Sequence, residues 1–320
     1  MRIAVLDDYQ RRARELADWQ SLGPDAEVAF LHERIDRAAL ARRLANFEVL
    51  VLMRERTAFP RAVLEQLSRL ELLVTTGMRN AAVDIAYLRE RGVVVSGTDV
   101  GPTRPGLPEA VEVAWALILA LLKRVTIEDR AVREGAWQLD MPRELGGAVL
   151  GLAGLGRLGA AMVAPARVFG MEVIAWSQNL SDERAASLGV RRVAKEELLS
   201  RSDVLSIHLV LSQRTRGLFG ASELAAMKPG AVLVNTSRGP IVDERALIDA
   251  LRVGTIAGAG LDVFDEEPLP AGHELLALPN TVLLPHLGYV SEASFRAMYG
   301  QVVEDIAAFR RGAPIRVLER

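Results

Sequence analysis

The stretch of residues 145–178, LGGAVLGLAGLGRLGAAMVAPARVFGMEVIAWSQ, constrains the fold more than any other part of the chain. Its apolar run Ala148–Ala153 predicts a buried strand, and a helical pattern follows a glycine turn as far as Phe169. Residues Val173–Trp176 predict the next strand. A strand, a helix and a second strand in this order form a βαβ unit, which is the building block of a parallel sheet.

Three glycines in the turn of this unit, Gly154, Gly156 and Gly159, form a GxGxxG pattern. In such a motif the first glycine permits the tight turn, and the second lets the backbone approach a pyrophosphate. The third lets the helix pack close to the strand. A glycine-rich turn without a ligand is the alternative, but the strands on both sides favour a dinucleotide site. The residues that we assign to cofactor binding in this loop are Gly154, Leu155, Gly156, Arg157, Leu158 and Gly159.

Length and composition indicate a globular protein of two domains. The chain has 320 residues, of which 50% are hydrophobic and 25% charged, enough to form large cores. A net charge of −2 provides no basic surface, so we predict neither a nucleic-acid nor a membrane partner. The chain has no cysteine, which excludes disulfides and thiolate metal sites, and we assign no metal ligands. The N-terminus lacks a signal-peptide pattern, so we predict a cytoplasmic protein.

Short apolar strands alternate with helical patterns through both halves of the chain, which predicts an α/β protein with parallel, doubly wound sheets. The Gly- and Pro-rich segment 97–108 predicts a loop and hinge between two domains. The helix Glu109–Lys123 that follows is apolar on nearly every side, so it must be buried in a core or against another subunit. The last helix, residues 292–311, is expected to pack on the first domain, because chain termini usually lie together.

Residues able to catalyse a reaction follow the strands of the second half. In open α/β sheets, ligands bind beyond the carboxyl ends of the strands. Arg238, Glu267 and His286 each follow a different predicted strand. Hydride transfer to or from a 2-hydroxy acid needs a cation for the carboxylate and carbonyl, a general acid/base, and a carboxylate that orients this base. Arg238, His286 and Glu267 fit these roles in that order.

The second half resembles the D-isomer-specific 2-hydroxyacid dehydrogenase family, which includes D-3-phosphoglycerate dehydrogenases, glyoxylate/hydroxypyruvate reductases and D-lactate dehydrogenases. The resemblance covers nearly all of residues 137–289 and rests on four stretches: WQLDMPRELGGAVLGLAGLGRLG, SDVLSIHLVLSQRTRGLFGASELAAMKPGAVLVNTSRGPIVDERALIDAL, AGAGLDVFDEEPLP and LPNTVLLPHLGY. It implies that Arg238, Glu267 and His286 are catalytic.

The resemblance also implies a Rossmann dinucleotide-binding domain inserted into a flavodoxin-like substrate domain. We accordingly assign residues 101–289 to the NAD(P)-binding domain, and residues 1–100 with 290–320 to the substrate domain. Members of this family are usually homodimers built on the helix that corresponds to Glu109–Lys123. A homodimer is therefore predicted here.

The resemblance is looser in residues 1–100. Arg54 lies where some members place a substrate-binding arginine, and a surface salt bridge is the alternative. Met78, Arg79 and Asn80 replace a glycine-rich loop that usually offers N–H groups to the substrate carboxylate, although Met78 also suits a core. We assign these four residues to substrate binding. The departures from the family pattern leave the identity of the acid open.

Further cofactor contacts are predicted at the ends of other strands, at His208, Thr236, Ser237, Asp262 and Gly288. Asp262 is assigned to the nicotinamide amide region, with a loop cap as the alternative. We expect His208 to line the cofactor or to be structural rather than to act as a second base. His32 and His273 are expected at the surface, and Asp265 and Glu266 are expected to be solvated acids.

The residue that discriminates between NAD and NADP falls at Ser177. NAD sites usually carry Asp or Glu at the end of the second strand, about 20 residues past the glycines. Glu172 lies too early for this role, and Asp182 lies too late, at a predicted helix start with Ser181. A carboxylate that would repel a 2′-phosphate is missing, so we predict weak discrimination, with NADPH accepted beside NADH.

The sequence thus predicts an oxidoreductase that transfers a hydride between NAD(P)H and a small 2-oxo or D-2-hydroxy acid. One alternative is a dinucleotide-sensing interaction protein like the corepressors that share this fold, and another is a formate or phosphite dehydrogenase. The complete Arg–Glu–His set weakens the sensor, which needs no acid/base pair. Glu267 weakens the formate alternative, because formate dehydrogenases usually carry glutamine there.

Overall fold

The computed structural model describes residues 1–99 and 106–319, so residues 100–105 of the predicted 97–108 loop lie outside the described residues. The chain forms two compact units. Unit 1 consists of Met1–Pro105 and Ser291–Arg320, and unit 2 of Gly106–Val290. Across residues 1–99 and 106–319, none of the helices combines the length and the apolar character that crossing a membrane requires.

Unit 1 is built on a five-stranded parallel sheet. Its strands are β1 (Arg2–Val5), β2 (Glu27–Phe30), β3 (Val49–Leu52), β4 (Leu72–Thr75) and β5 (Val94–Gly97). The strand order is β2-β1-β3-β4-β5, which is the flavodoxin-like order. All residues of β3 and β4 are buried, as expected for the central strands of a sheet with helices on both faces.

The helices that precede and connect these strands are short. They are α1 (Ala13–Leu16), the 3₁₀ helix Trp19–Leu22, α2 (Arg37–Leu44), α3 (Arg61–Leu64) and α4 (Ile85–Glu90). Aspartates cap three of them, because the side chains of Asp18, Asp36 and Asp84 accept from the N–H groups of Ser21, Ala38 and Tyr87 respectively. Such caps satisfy backbone donors that have no partner within the helix.

Unit 2 is built on a seven-stranded parallel sheet. Its strands are β6 (Val149–Ala153), β7 (Glu172–Trp176), β8 (Arg191–Arg192), β9 (Val204–Ile207), β10 (Val232–Asn235), β11 (Gly258–Leu261) and β12 (Thr281–Leu283). The order is β12-β11-β10-β9-β6-β7-β8, so the direction of strand addition reverses between β6 and β9. This reversal is the topological switch point of a Rossmann sheet. The predicted fold class, with two doubly wound parallel sheets, is confirmed.

Helices cover both faces of the unit 2 sheet. They are α5 (Glu109–Leu122), α6 (Val125–Arg133), α7 (Arg157–Ala161), α8 (Val163–Val168), α9 (Asp182–Ser187), α10 (Lys195–Arg201), α11 (Ala221–Ala225) and α12 (Glu244–Val253), with 3₁₀ helices at Gly239–Ile241 and Glu274–Ala277. One face of α5 lies in the core through Val111, Ala114, Trp115, Leu117, Ile118 and Leu122. Packing within unit 2 therefore accounts for part of the predicted burial of α5.

The helix that follows the glycine motif differs from the prediction. A single helix to Phe169 was predicted, but the structure has two segments, α7 and α8, that separate at Met162. Pro165 explains the break, because it has no N–H to donate to the carbonyl of Ala161 and its ring clashes with that carbonyl. Gly170 ends the second segment with a φ of +73°, as the sequence predicted.

The chain ends with α13 (Glu292–Arg310). The Ser291 hydroxyl caps it by accepting from the Ser294 N–H. The helix packs against α1 and β4 of unit 1, and its buried residues include Phe295, Tyr299 and Ile306. The expectation that the last helix packs on the first part of the chain is confirmed.

Candidate active site

The glycine loop leaves β6 at the carboxyl end of the unit 2 sheet. A Cβ at Gly154 would lie 2.6 Å from the His208 carbonyl oxygen, and a Cβ at Gly159 would lie 2.1 Å from the Gly154 carbonyl oxygen. The loop therefore closes too tightly for side chains at these two positions. At Gly156 a Cβ would meet nothing within 4 Å. This open space at the strand-to-helix turn fits the pyrophosphate of a dinucleotide.

His208 follows β9, on the other side of the switch point from the glycine loop. Its Nε2 lies 2.9 Å from the Ser206 hydroxyl oxygen. Burial lowers the pKa of His208 to about 4, so the ring is neutral near pH 7. The His208 backbone packs against Gly154, and its neutral ring suits the predicted lining or structural role rather than that of a second acid catalyst.

Ser177 follows β7 directly and is half-buried. Its carbonyl accepts from the Leu180 N–H at 3.1 Å, which turns the chain towards α9. Asp182 is the first residue of that helix, and the Ser181 hydroxyl caps it. The carboxylate nearest to the strand end thus belongs to a helix start, as the sequence predicted.

Asn235 organises the loop after β10. This residue is 1% exposed, and its side chain accepts from the Ser237 N–H and donates to the Arg238 carbonyl, both at 3.0 Å. The Ser237 hydroxyl donates to the Ile207 carbonyl at 2.9 Å. Thr236 lies between them, 8% exposed. Asn235 was not among the predicted site residues, although an Asn at a strand end is a known turn signal.

His286 and Glu267 form a hydrogen-bonded pair. His286 Nδ1 lies 2.6 Å from Glu267 Oε2, and Glu267 Oε1 accepts from the Phe264 N–H at 3.0 Å. Because a carboxylate only accepts, we place a proton on Nδ1, which leaves Nε2 as the nitrogen that can exchange a proton with a ligand. The His286 ring meets the Tyr289 ring edge-on, with 5.2 Å between the centroids. This geometry is suited to general acid/base chemistry.

Asp262, which is 1% exposed, holds the loop that carries His286. Its two carboxylate oxygens accept the N–H groups of Leu287 at 2.6 Å and Gly288 at 2.9 Å. Burial raises the pKa of Asp262 to about 6, and the two N–H groups oppose this rise. The geometry fits the loop-cap alternative, while the contacts of Asp262 and Gly288 with the nicotinamide end of a cofactor stay predictions.

The loops that carry Arg238 and Glu267 are in direct contact. A Cβ at Gly239 would lie 2.1 Å from the carbonyl carbon of Phe264 and 2.6 Å from the Asp265 nitrogen. The backbone after Arg238 therefore packs tightly against the Phe264–Asp265 peptide, next to the Phe264 N–H that binds Glu267. Unit 2 thus brings the loops of the three predicted catalytic residues together at one end of its sheet.

A second histidine–carboxylate pair lies in unit 2, between His273 and Glu244. His273 Nε2 is 3.1 Å from Glu244 Oε1, and the two side chains are 19% and 22% exposed. His273, which was expected at the surface, is half-buried, because the first residue of α12 lies against the 3₁₀ helix that His273 caps. His32, in unit 1, keeps 34% of its side chain exposed.

Arg54 follows β3 in unit 1 with a φ of +53°, in the left-handed region. Its N–H donates to the Thr76 hydroxyl at 2.9 Å. A Cβ at Gly77 would lie 2.8 Å from an Arg54 guanidinium nitrogen, so the side chain packs directly over that glycine. The structure therefore fixes both the backbone and the side chain of Arg54.

The other three predicted substrate residues follow β4. Asn80 is 5% exposed, and its amide donates to the Arg54 carbonyl at 2.8 Å and to the Thr75 hydroxyl at 2.9 Å. Asn80 thus supports Arg54 from within the protein. Met78 and Arg79 are exposed, so Met78 is not a core residue.

The chain is similar to known proteins over most of its length. The family model described as the NAD binding domain of D-isomer specific 2-hydroxyacid dehydrogenases matches residues 115–288. The chain is 37% identical to a glyoxylate reductase of Korarchaeum cryptofilum, over 78% of this chain and 76% of the relative. It is 30% identical to a hydroxypyruvate reductase of Blautia hydrogenotrophica, with both chains fully covered. The solved structure of a phosphoglycerate oxidoreductase from Vibrio cholerae O395 matches with a TM-score of 0.90 at 34% identity, over 98% of this chain and 100% of that one.

Proposed function

The chain belongs to the D-isomer specific 2-hydroxyacid dehydrogenase family, and on this premise we propose that Arg238, Glu267 and His286 carry out its reaction. The protein is an NAD-dependent oxidoreductase that acts on small 2-oxo and 2-hydroxy acids. The observation that carries the proposal is the 2.6 Å contact between His286 Nδ1 and Glu267 Oε2. This contact leaves Nε2 of the same ring able to exchange a proton.

Each of the three residues has a role in the reduction of a 2-oxo acid. When bound, the nicotinamide cofactor supplies the hydride. The Arg238 guanidinium holds the substrate carboxylate in a bidentate manner and polarises the 2-oxo group. His286 Nε2 gives its proton to the oxygen of that group, which becomes the hydroxyl. The Glu267 carboxylate orients the ring and stabilises its protonated form.

The glycine loop and Ser177 would hold the cofactor, and we propose that NADPH is accepted beside NADH. Position 177 carries no carboxylate that would repel a 2′-phosphate. Ser177→Asp should therefore shift the preference towards NADH. The test is kcat/KM with both cofactors. A wild-type ratio above about 100 in favour of NADH, or about 2.7 kcal/mol, would contradict weak discrimination.

We also propose a homodimer. The segment after α6 exposes three large apolar side chains, Trp137, Leu139 and Met141, and Trp137 is 75% exposed. The outer face of α5 carries Ala116 and the half-buried Val113 and Leu119. Exposed apolar patches of this kind are typical of subunit interfaces. Light scattering at micromolar concentration should give a dimer, and a monomer would contradict this. The cytoplasmic location stays a prediction.

One experiment tests the proposed reaction. Wild type and His286→Ala are assayed with NADH and NADPH against glyoxylate, hydroxypyruvate and phosphohydroxypyruvate. We expect turnover of at least one acid by wild type, and its loss in the variant. Cofactor binding without turnover of any acid would favour the dinucleotide-sensing alternative. In the same panel, Arg54→Ala and Arg79→Ala test the predicted substrate residues, because a loss confined to certain acids would assign them to substrate choice. Met78 and Asn80 stay predictions.

A further inference from the structure

The His273–Glu244 pair has no role in the reaction described above, yet its side chains are slightly less exposed than those of the catalytic pair. The side chains of His273 and Glu244 are 19% and 22% exposed, against 23% and 30% for His286 and Glu267. Burial of a carboxylate and an imidazole costs free energy unless both are hydrogen-bonded. A partly buried pair next to an active-site loop therefore calls for a specific function.

Both ring nitrogens of His273 are engaged. His273 Nδ1 accepts from the Leu275 N–H at 3.3 Å, where it caps the 3₁₀ helix. An accepting Nδ1 carries no proton, so the neutral ring has its proton on Nε2, which donates to Glu244 Oε1. With both nitrogens bound, this ring is suited to holding Glu244 in place rather than to exchanging protons.

Glu244 transmits this constraint to the loop of the catalytic carboxylate. Its second oxygen, Oε2, accepts from the Asp265 N–H at 3.4 Å. The preceding N–H, that of Phe264, donates to Glu267 Oε1 at 3.0 Å. Gly239 packs against the same Phe264–Asp265 peptide. Glu267 and Glu244 therefore bind consecutive N–H groups of one segment. The backbone that follows Arg238 also packs against this segment.

We propose that Glu244 and His273 are positioning residues for Glu267. They fix the Phe264–Asp265 peptide, and the preceding N–H, that of Phe264, holds the Glu267 carboxylate that binds His286. The inference rests on the proposed function. Charged groups near Asp265 are Glu244, Asp243 and Arg216, so the environment that holds this segment is itself ionic.

Two substitutions of His273 separate positioning from helix capping. Asn can replace Nδ1 as the acceptor for the Leu275 N–H, but it is too short to reach Glu244. Gln can place an amide N–H near the position of Nε2 and donate to Glu244. His273→Asn therefore keeps the cap and loses the Glu244 contact, whereas His273→Gln keeps the Glu244 contact. Glu244→Ala removes both contacts of the carboxylate, and Glu244→Gln is a milder second variant.

The expected result is a fall in kcat with little change in KM. Because small displacements of catalytic groups are costly, we expect about a 10-fold lower kcat for Glu244→Ala and His273→Asn. His273→Gln should stay within about 2-fold of wild type. Asp249→Asn is the matched control, since Asp249 lies on the same helix and pairs with Arg245 at the surface. It should behave as wild type.

A readout that does not depend on turnover is the proton NMR resonance of His286 Nδ1–H. A proton held in a short bond to a carboxylate resonates far downfield, and the chain has four histidines, so single variants assign it. We expect this resonance in wild type, His273→Gln and Asp249→Asn, and its loss or upfield shift in His273→Asn and Glu244→Ala.

The proposal would be overturned if Glu244→Ala matched the Asp249→Asn control in kcat and in the resonance. It would equally fail if His273→Asn were normal and His273→Gln impaired, which would leave His273 with a capping role alone. If Glu244→Ala does not fold, Glu244→Gln and the two His273 variants still test whether the pair positions Glu267. If wild type reduces no acid, the proposed function fails, while the resonance still tests positioning.

Discussion

The two histidine–glutamate pairs of unit 2 have similar burial but differ in which ring nitrogen the carboxylate binds. Glu267 binds Nδ1 of His286 at 2.6 Å, whereas Glu244 binds Nε2 of His273 at 3.1 Å. Nδ1 of His273 is then used by the Leu275 N–H. The same two residue types can therefore serve two purposes. A histidine–glutamate pair with one ring nitrogen left for a ligand can act as an acid/base pair, whereas a pair with both nitrogens bound only holds its neighbours in position.

The backbone at the two histidines differs as well. His286 has a φ of +54°, in the left-handed region that costs a residue with a Cβ about 1 kcal/mol, and Asp262 holds the next two N–H groups. His273 has a φ of −58° and needs no such support. Strain is thus confined to the pair that is proposed to react, as is common at functional sites.

The largest difference is expected when each imidazole is removed. His286→Ala should lower kcat by about 10²–10⁴, the range for loss of a general acid/base. His273→Ala should lower kcat by about 10-fold, because it acts through the position of another group. Steady-state reduction of the best 2-oxo acid measures both. Near-normal turnover in His286→Ala would break the comparison.

The two carboxylates should differ next. Glu267→Gln should lower kcat by about 10²-fold, because a neutral amide orients and stabilises the reacting ring less well than a carboxylate does. Glu244→Gln should lower kcat less than 10-fold. The measurement is steady-state kcat with the best 2-oxo acid. An equal loss in the two variants would show that both carboxylates act on the reacting ring directly.

Asp262 gives a prediction about acid pH. Burial raises its pKa to about 6, so the carboxylate is ionised above this pH and becomes protonated as the pH falls through it. Protonation weakens its hold on the Leu287 and Gly288 N–H groups, so wild-type kcat should fall a few-fold below about pH 6. Asp262→Asn should lower kcat about 10-fold at neutral pH and abolish this acid fall. An unchanged acid limb in the variant would assign the fall to another group.

The smallest expected effect is on the free energy of unfolding. Here substitution of His273 should have the larger effect and substitution of His286 the smaller, the reverse of their effects on kcat. His273→Ala removes a helix cap and the Glu244 contact, so it should lower the free energy of unfolding by about 1 kcal/mol. His286→Gly should lower it by only a few tenths of a kcal/mol, because glycine adopts the left-handed φ of residue 286 without strain and this relief offsets the lost contact. Urea unfolding of both variants provides the values. Equal losses would mean that the strained backbone stores no free energy.

Much of the fold follows from local patterns. Apolar strands such as Val49–Leu52 and Leu72–Thr75 are buried in a parallel sheet and need no alternation, so they stand out in the sequence. The glycine loop identified the βαβ unit because a predicted strand precedes it and a helix and a second strand follow it. Arg238, Glu267 and His286 were predicted to be catalytic because ligand sites of such sheets lie beyond the carboxyl ends of the strands.

Other features depend on contacts between distant residues and could not be predicted. The pairing of His273 with Glu244 joins residues 29 positions apart, through two helices whose packing no local pattern specifies. The use of both Asp262 oxygens by the His286 loop likewise depends on how two strands are placed side by side. The helix break at Met162 is different, because Pro165 is a helix-breaking residue visible in the sequence. The helical periodicity on both sides of Pro165 nevertheless favoured the prediction of one continuous helix.

Gly156 has a consequence for how this chain would change over generations. Replacement of Gly154 or Gly159 drives a side chain into the backbone, so the folded protein itself rejects it. Gly156 has a φ of −74°, which any residue adopts, and a Cβ there would meet nothing within 4 Å. The fold therefore tolerates a small side chain at position 156, and only a bound dinucleotide would exclude such a side chain. In a lineage that gave up its cofactor, position 156 would be released from selection first, while Gly154 and Gly159 would persist for as long as the fold did.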